Sequence, residues 1–110
     1  MTAATTSPIR VSAPVRAALD EGRPVALEST IFTHGLPRPR NLEVALEGEE
    51  IARSHGAVPA TIGVFRGEPV VGLSKAEIEE LSGSEGLLKA SVRELAYARV
   101  HDLSAGTTIA

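Results

Sequence analysis

The chain has no cysteine and no tryptophan, and its only aromatic residues are Phe32, Phe65 and Tyr97. Without cysteine there is no disulfide, no thiolate metal site and no thiol nucleophile. That absence fits a cytoplasmic protein. With so few aromatics, a core has to be built from Val, Ile, Leu and Ala. No apolar run approaches the roughly 18 residues of a membrane span, so no membrane partner is expected. Charge of one sign is missing too: 11 basic and 14 acidic residues are interspersed, for a net charge of −3. This lacks the electrostatic footprint of a nucleic-acid binder. What is present is 110 residues, 43% of them apolar, enough for one globular domain with a modest core. Residues 1–8 are rich in Ala and Thr without the apolar centre of a secretory signal, and read as a disordered tail.

Local signals then divide the chain. Ser12 as N-cap, Pro14 in the first turn and Gly22 as stop predict a short helix. Pro24 to about Glu28 reads as a buried strand, followed by a stiff loop from Thr33 to Arg40 that holds Pro37 and Pro39. Asn41 is expected to cap a helix that runs to about Ser54, with Leu42, Ala45, Leu46 and Ala52 on one face and Glu43, Glu47 and Glu50 mostly on the other. Gly56 ends it. Val58–Phe65 and Pro69–Val71 flank the turn Arg66-Gly67-Glu68 and predict a hairpin. Ser74-Lys75-Ala76-Glu77 and Ser91-Val92-Arg93-Glu94 have capping-box spacing and open two more helices, to Leu81 and to about His101. Leu87–Ala90 reads as a short strand between them. Gly106-Thr107-Thr108 has the character of another helix entry. Strands alternating with helices place the chain in the α/β class, a sheet layered with helices.

Among residues able to carry chemistry, Glu28 stands out. It ends the apolar approach Val25-Ala26-Leu27 and precedes Ser29 and Thr30. A carboxyl where a buried strand meets a loop is expected to be partly desolvated, which raises its proton affinity toward the range of a general acid. The alternative is an acid that caps the loop or pairs with an arginine. Lys89, after Leu87-Leu88, reads by itself as a snorkelling surface lysine. Thr107 and Thr108 offer hydroxyls and N–H groups which, at a helix start, attract phosphate or simply cap. His34 has no second ligand at metal spacing, so a loop-fixing role is favoured. His55 and His101 fall near helix ends, where positive charge is favourable. Lys75 belongs to a capping box.

Larger words surround these residues. Pro24-Val25-Ala26-Leu27-Glu28-Ser29-Thr30-Ile31 and Thr33-His34-Gly35-Leu36-Pro37 come first. Gly56-Ala57-Val58-Pro59-Ala60-Thr61-Ile62, Val71-Gly72-Leu73-Ser74-Lys75-Ala76-Glu77-Ile78, Lys89-Ala90-Ser91-Val92-Arg93-Glu94-Leu95 and Gly106-Thr107-Thr108-Ile109-Ala110 follow in order. Together these blocks resemble the pseudouridine-5'-phosphate glycosidase family, from about Ile9 onward. The resemblance implies cleavage of the carbon–carbon glycosidic bond of pseudouridine 5'-phosphate to uracil and ribose 5-phosphate. It implies Glu28 as proton donor, Lys89 as a substrate-binding lysine and Ile109 as a backbone contact to substrate. The spacing from Glu85-Gly86 to Lys89 is shorter than the family's usual one.

The same resemblance implies a three-layer α/β/α fold, a homotrimer, and a divalent metal, usually manganese, held by an aspartate. It also implies a nucleophilic lysine that forms a Schiff base with the opened sugar. Neither that lysine nor that aspartate has a counterpart up to Ala110. Residues 9–110 therefore read as the N-terminal third of such a domain, truncated at the C-terminus. Two functions remain open: part of a small-molecule enzyme, or a catalytically inactive remnant or interaction module.

Overall fold

β3 (Val58–Phe65) is the strand on which the rest of the sheet is assembled. The structure is a computed structural model and describes residues 9–108. The expected tail at residues 1–8 and the expected substrate contact Ile109 lie outside the described residues. Along one edge of β3, Ile62 to Phe65 pair antiparallel with β4 (Glu68–Val71), as the hairpin reading expected. β1 (Arg10–Val11) then pairs parallel with β4 on the outside.

The other edge is shared by two strands. β2 (Pro24–Leu27) runs parallel to residues 58–61 of β3, and β6 (Ala105–Thr107) runs antiparallel to Gly63 and Val64. β5 (Leu88–Ala90) closes that side, parallel to β6. β2 and β6 therefore approach each other head-on beside β3. Two assignments are corrected here. Gly106-Thr107 is strand, not helix entry, and the two-residue β1 was not expected.

The helices obey their local chemistry. α1 (Ala13–Glu21) starts at Ser12, whose hydroxyl accepts the Val15 N–H, and stops at Gly22 in the left-handed region with φ 71°. α2 (Arg40–Ser54) begins one residue before the expected cap. Asn41 is not that cap. It is buried inside the helix, and its Nδ2 donates to the carbonyls of Phe32 at 3.0 Å and Ser82 at 2.8 Å. The expected loop before α2 begins as a π-helical turn, Ile31–Gly35. α3 (Lys75–Gly83) has the full capping box between Ser74 and Glu77. α4 (Val92–His101) opens where Glu94 reaches back to the Ser91 N–H at 3.0 Å.

Two clusters form the core. Phe32, Val70, Leu73, Ile78 and Leu81 bring together the π-turn, β4 and α3, with Leu42, Ala45 and Leu46 of α2 packed against them. Val64, Ala98 and Ala105 join β3, α4 and β6. Val70 is the register partner of Gly63, the neighbour of Val64. Adjacent residues of a strand point to opposite faces, so the clusters lie on opposite faces of the sheet. The architecture is the expected layering of helices on both sides. Gly63 and Gly106 face each other across β3 and β6. A side chain at Gly63 would meet Leu73 at 3.0 Å and Ser29 at 3.2 Å, and one at Gly106 would run into Thr33, so the bare Gly106 lets the π-turn lie close on the sheet.

The α4 entry is acid-sensitive. The Ser91 hydroxyl and N–H, with Arg93 beside them, hold the Glu94 carboxyl down to about 2. A carboxyl lower in the folded chain than in the unfolded one, at about 4.3, stabilises the fold above that unfolded value. The contribution fades as pH falls toward about 2. The protection of the Leu95 amide against exchange, relative to its intrinsic rate at each pH, should therefore fall through that acid window. Glu94→Gln, which keeps an oxygen acceptor, should flatten the pH dependence. Equal pH dependence in both proteins would refute the assignment.

Candidate functional site

Glu28 directly follows β2, and Thr108 directly follows β6. Because those strands meet head-on, residues far apart in sequence become neighbours. Thr108 Oγ1 donates to Glu28 Oε2 at 2.7 Å. Behind this pair the two chain ends are tied more firmly. Ser29, wholly buried, donates its N–H to the Thr107 carbonyl at 3.0 Å, and its Oγ accepts the Thr107 N–H at 2.8 Å. Thr107 Oγ1 donates to the Ile62 carbonyl of β3 at 2.7 Å. Each strand end would otherwise leave its last backbone groups unpaired, at a cost comparable to a lost hydrogen bond each. The serine side chain and the threonine side chain supply the missing partners.

Ala26, Leu27, Glu28, Ile62, Thr107 and Thr108 line a pocket of about 130 Å³ at this junction. Glu28 is its one ionisable wall. A larger hollow of about 640 Å³ lies elsewhere, between α2, β3 and the start of α3. None of the expected site residues lines it, and its buried acid, Glu49, is already engaged with Thr61 Oγ1 at 2.6 Å and Arg53 at 3.1 Å. The chemistry expected of Glu28 therefore belongs to the smaller pocket.

Several expectations need correction. The Glu28 side chain is exposed, so the partial burial expected of it is not built by these residues. Thr107 is not at a helix start. Its hydroxyl and N–H are committed to Ile62 and Ser29, and neither is turned outward for a phosphate. The Thr108 hydroxyl is spent on Glu28. Lys89 is exposed on the edge strand β5, in register with Gly106, and does not line the Glu28 pocket.

His34 fixes its loop, as its residue context suggested. Its Nε2 lies 2.8 Å from the Leu87 carbonyl and must carry the proton, since a carbonyl only accepts. Its Nδ1 then accepts the Thr33 hydroxyl at 2.7 Å. The bond to Leu87 clips the π-turn to the chain just ahead of β5. His55 Nδ1 lies 2.9 Å from the Ile51 carbonyl at the end of α2, and His101 packs on Tyr97 with ring centroids 4.4 Å apart.

Glu49 and the Glu28–Thr108 bond were missed. Glu49 falls three residues after Leu46 and seven after Leu42, on the apolar stripe of α2, and that spacing was a readable signal. The Thr108 bond joins residues 80 apart in sequence, and no local pattern announces it.

No group of three or more His, Asp or Glu side chains could hold a metal ion among the described residues. The manganese implied by the resemblance does not fit the residues present, and no step is derived through it. No helix among them is long and apolar enough to cross a membrane.

Residues 14–110 match the family described as indigoidine synthase A like protein. The chain belongs to that family. It is 57% identical over 101 residues to the pseudouridine-5'-phosphate glycosidase of Saccharopolyspora erythraea, covering 91% of this chain and 33% of that protein. To the enzyme of the same name from Salinispora tropica it is 52% identical over 109 residues, covering 98% and 34%. Among solved structures, an indigoidine synthase A-like protein of Thermotoga maritima superposes with a TM-score of 0.76 at 32% identity, over 92% of this chain and 32% of that one. A prealnumycin C-glycosynthase in complex with ribulose 5-phosphate gives 0.75 at 39%, over 93% and 33%. The chain thus spans about a third of the length of the curated relatives it matches. The family resemblance read from the sequence is shown, and so is the mixed α/β fold.

The junction itself is testable. Ser29→Ala removes the acceptor of the Thr107 N–H in a part-buried contact, a loss of about 1–3 kcal/mol. The Thr107 amide should exchange faster, and the urea midpoint should drop with an unchanged slope. An unaltered Thr107 exchange rate would show that Ser29 does not hold β6.

Proposed function

We propose that this chain supplies the proton-donor segment of a pseudouridine-5'-phosphate glycosidase. The observation that carries the reading is Glu28 as the sole ionisable wall of a pocket at the meeting point of two strand ends. Strand ends and the loops after them, held by a rigid sheet, are where α/β proteins carry their ligand sites. The names of the relatives support the reaction. Cleavage of a carbon–carbon glycosidic bond leaves electrons on a carbon of the uracil, and that carbon needs a proton. Glu28 in its acid form delivers it to that carbon, or to the ring oxygen as the sugar opens. Lys89 offers an ammonium point charge to the 5-phosphate. It stands on β5, beside the pocket strand β6, so substrate would have to extend across the β6 end to use both. Trimeric assembly, a cytoplasmic setting and the manganese requirement belong to the same proposal and rest on the resemblance.

The second reading is that these residues do no chemistry, as an inactive remnant or an interaction module. A chimera separates the two. This chain should replace the matching third of the Saccharopolyspora relative, and the chain alone should be assayed beside it with pseudouridine 5'-phosphate and manganese. The chimera should release uracil and the chain alone should not. A chimera that folds and oligomerises like the parent yet releases none would favour the remnant. In the active chimera, Glu28→Gln should cut turnover by about 10²–10⁴-fold with affinity within a few fold. Lys89→Ala should raise KM more than it lowers kcat. Near-full turnover in Glu28→Gln would make the acid structural.

A further inference from the structure

The geometry points to Thr108 as a positioning residue that keeps the Glu28 carboxyl in one place in both of its protonation states. The Thr108 hydroxyl donates to Glu28 Oε2 at 2.7 Å, although both side chains are exposed. A lone exposed hydrogen bond exchanges readily with water and is worth little by itself. Here the two partners do not have to find each other. Their chain neighbours, the buried Ser29 and the half-buried Thr107, exchange two hydrogen bonds of 3.0 and 2.8 Å, and Thr107 is also anchored to β3. The entropy of bringing Glu28 beside Thr108 is met by the fold, and only side-chain torsions remain to be fixed.

The chemical type of the partner matters as much as its place. A hydroxyl is donor and acceptor at once. It gives its proton to a carboxylate, and when the acid is protonated it accepts from the carboxyl O–H instead. A backbone N–H or an ammonium favours the anion, and a carbonyl can bond only the acid's O–H. A hydroxyl can stay on the same oxygen before and after that oxygen loses its proton, which suits a group that gives up a proton in one step and regains it in the next. The inference rests on Glu28 being the proton donor for its use, but the tie itself is a property of this chain.

The test is made on the isotopically labelled 110-residue chain, by three-bond couplings that report the χ1 and χ2 rotamers of Glu28 at neutral and at acid pH. Wild type and Thr108→Ser should show single-rotamer couplings at both pH values. Thr108→Val keeps the shape and loses the hydroxyl, and its couplings should collapse to rotamer averages at both. Ser29→Ala keeps the hydroxyl but releases the backbone tie, and should average as well. Amide shifts outside residues 26–29 and 106–108 should match wild type in the Thr108 variants, since the side chain is exposed. Averaged couplings in wild type at either pH, or a single rotamer retained in Thr108→Val, overturn the proposal. The result stands apart from the proton-donor reading. Full turnover of the Glu28→Gln chimera sinks that reading and leaves the couplings untouched. Averaged couplings sink the tie and leave the chimera's activity to speak for itself.

Discussion

Two strands that run toward each other along one edge of β3 must stop where they meet, and each stops with backbone groups that no ladder can pair. In this chain the gap is closed by side chains. Ser29 takes the Thr107 N–H, and Thr107 Oγ1 takes the Ile62 carbonyl. The rest of the site depends on that repair. It fixes β6 against β3, sets the start of the π-turn, and leaves the next residue on each side, Glu28 and Thr108, pointing away from that contact into a shared pocket. A buried polar pair of this kind adds little net stability. Its work is geometric: it decides which two exposed side chains are neighbours.

β3 makes the junction possible because its two faces serve different layers. Its Gly63, opposite Gly106, gives up a side chain where Leu73 and the Ser29 hydroxyl come close. Val64, one residue on, packs against Ala98 of α4 on the other face. The same strand thus carries the core on both sides and the site at one edge. The layering is uneven, however. α4 turns Val92, Tyr97 and Val100 outward, 87%, 54% and 76% exposed, next to His101 and Arg93. That exposure agrees with relatives about three times as long, in which further protein is available to lie against it.

The parts of this fold that were legible in the sequence are those decided by neighbours in the chain. Ser12, Ser74 and Ser91 announced three helix starts through local chemistry: a cap hydroxyl with Pro14 in the first turn at Ser12, and a hydroxyl with a glutamate three residues on at Ser74 and Ser91. The β3–β4 hairpin was legible because Arg66-Gly67 turns within two residues. β6 was not. Gly106-Thr107-Thr108 carries the same small and hydroxyl residues as a helix entry, and only pairing with Gly63 and Lys89, far away in sequence, makes it a strand. Asn41 misled for a related reason. Its type suits a cap, but two carbonyls from the π-turn and α3 claim its amide. The family words singled out Glu28 by position, while the expected burial depended on contacts the words do not contain.

That last difference narrows what this stretch of chain could contribute under the proposed glycosidase reading. General acid work asks for a proton donor that is well placed and shielded from competing water. Residues 9–108 supply the placement: a strand end, a buried serine tie and a hydroxyl partner hold Glu28 at a defined point. They do not supply the shielding, since the Glu28 side chain is exposed and its pocket is small. In a working glycosidase the cover has to come from protein or substrate lying over the β2–β6 junction. The larger hollow near Glu49 cannot serve instead, because its buried acid is already satisfied by Thr61 and Arg53. Position and shielding are therefore separable properties of this site. The first is written into the junction of two strands. The second waits on what covers them.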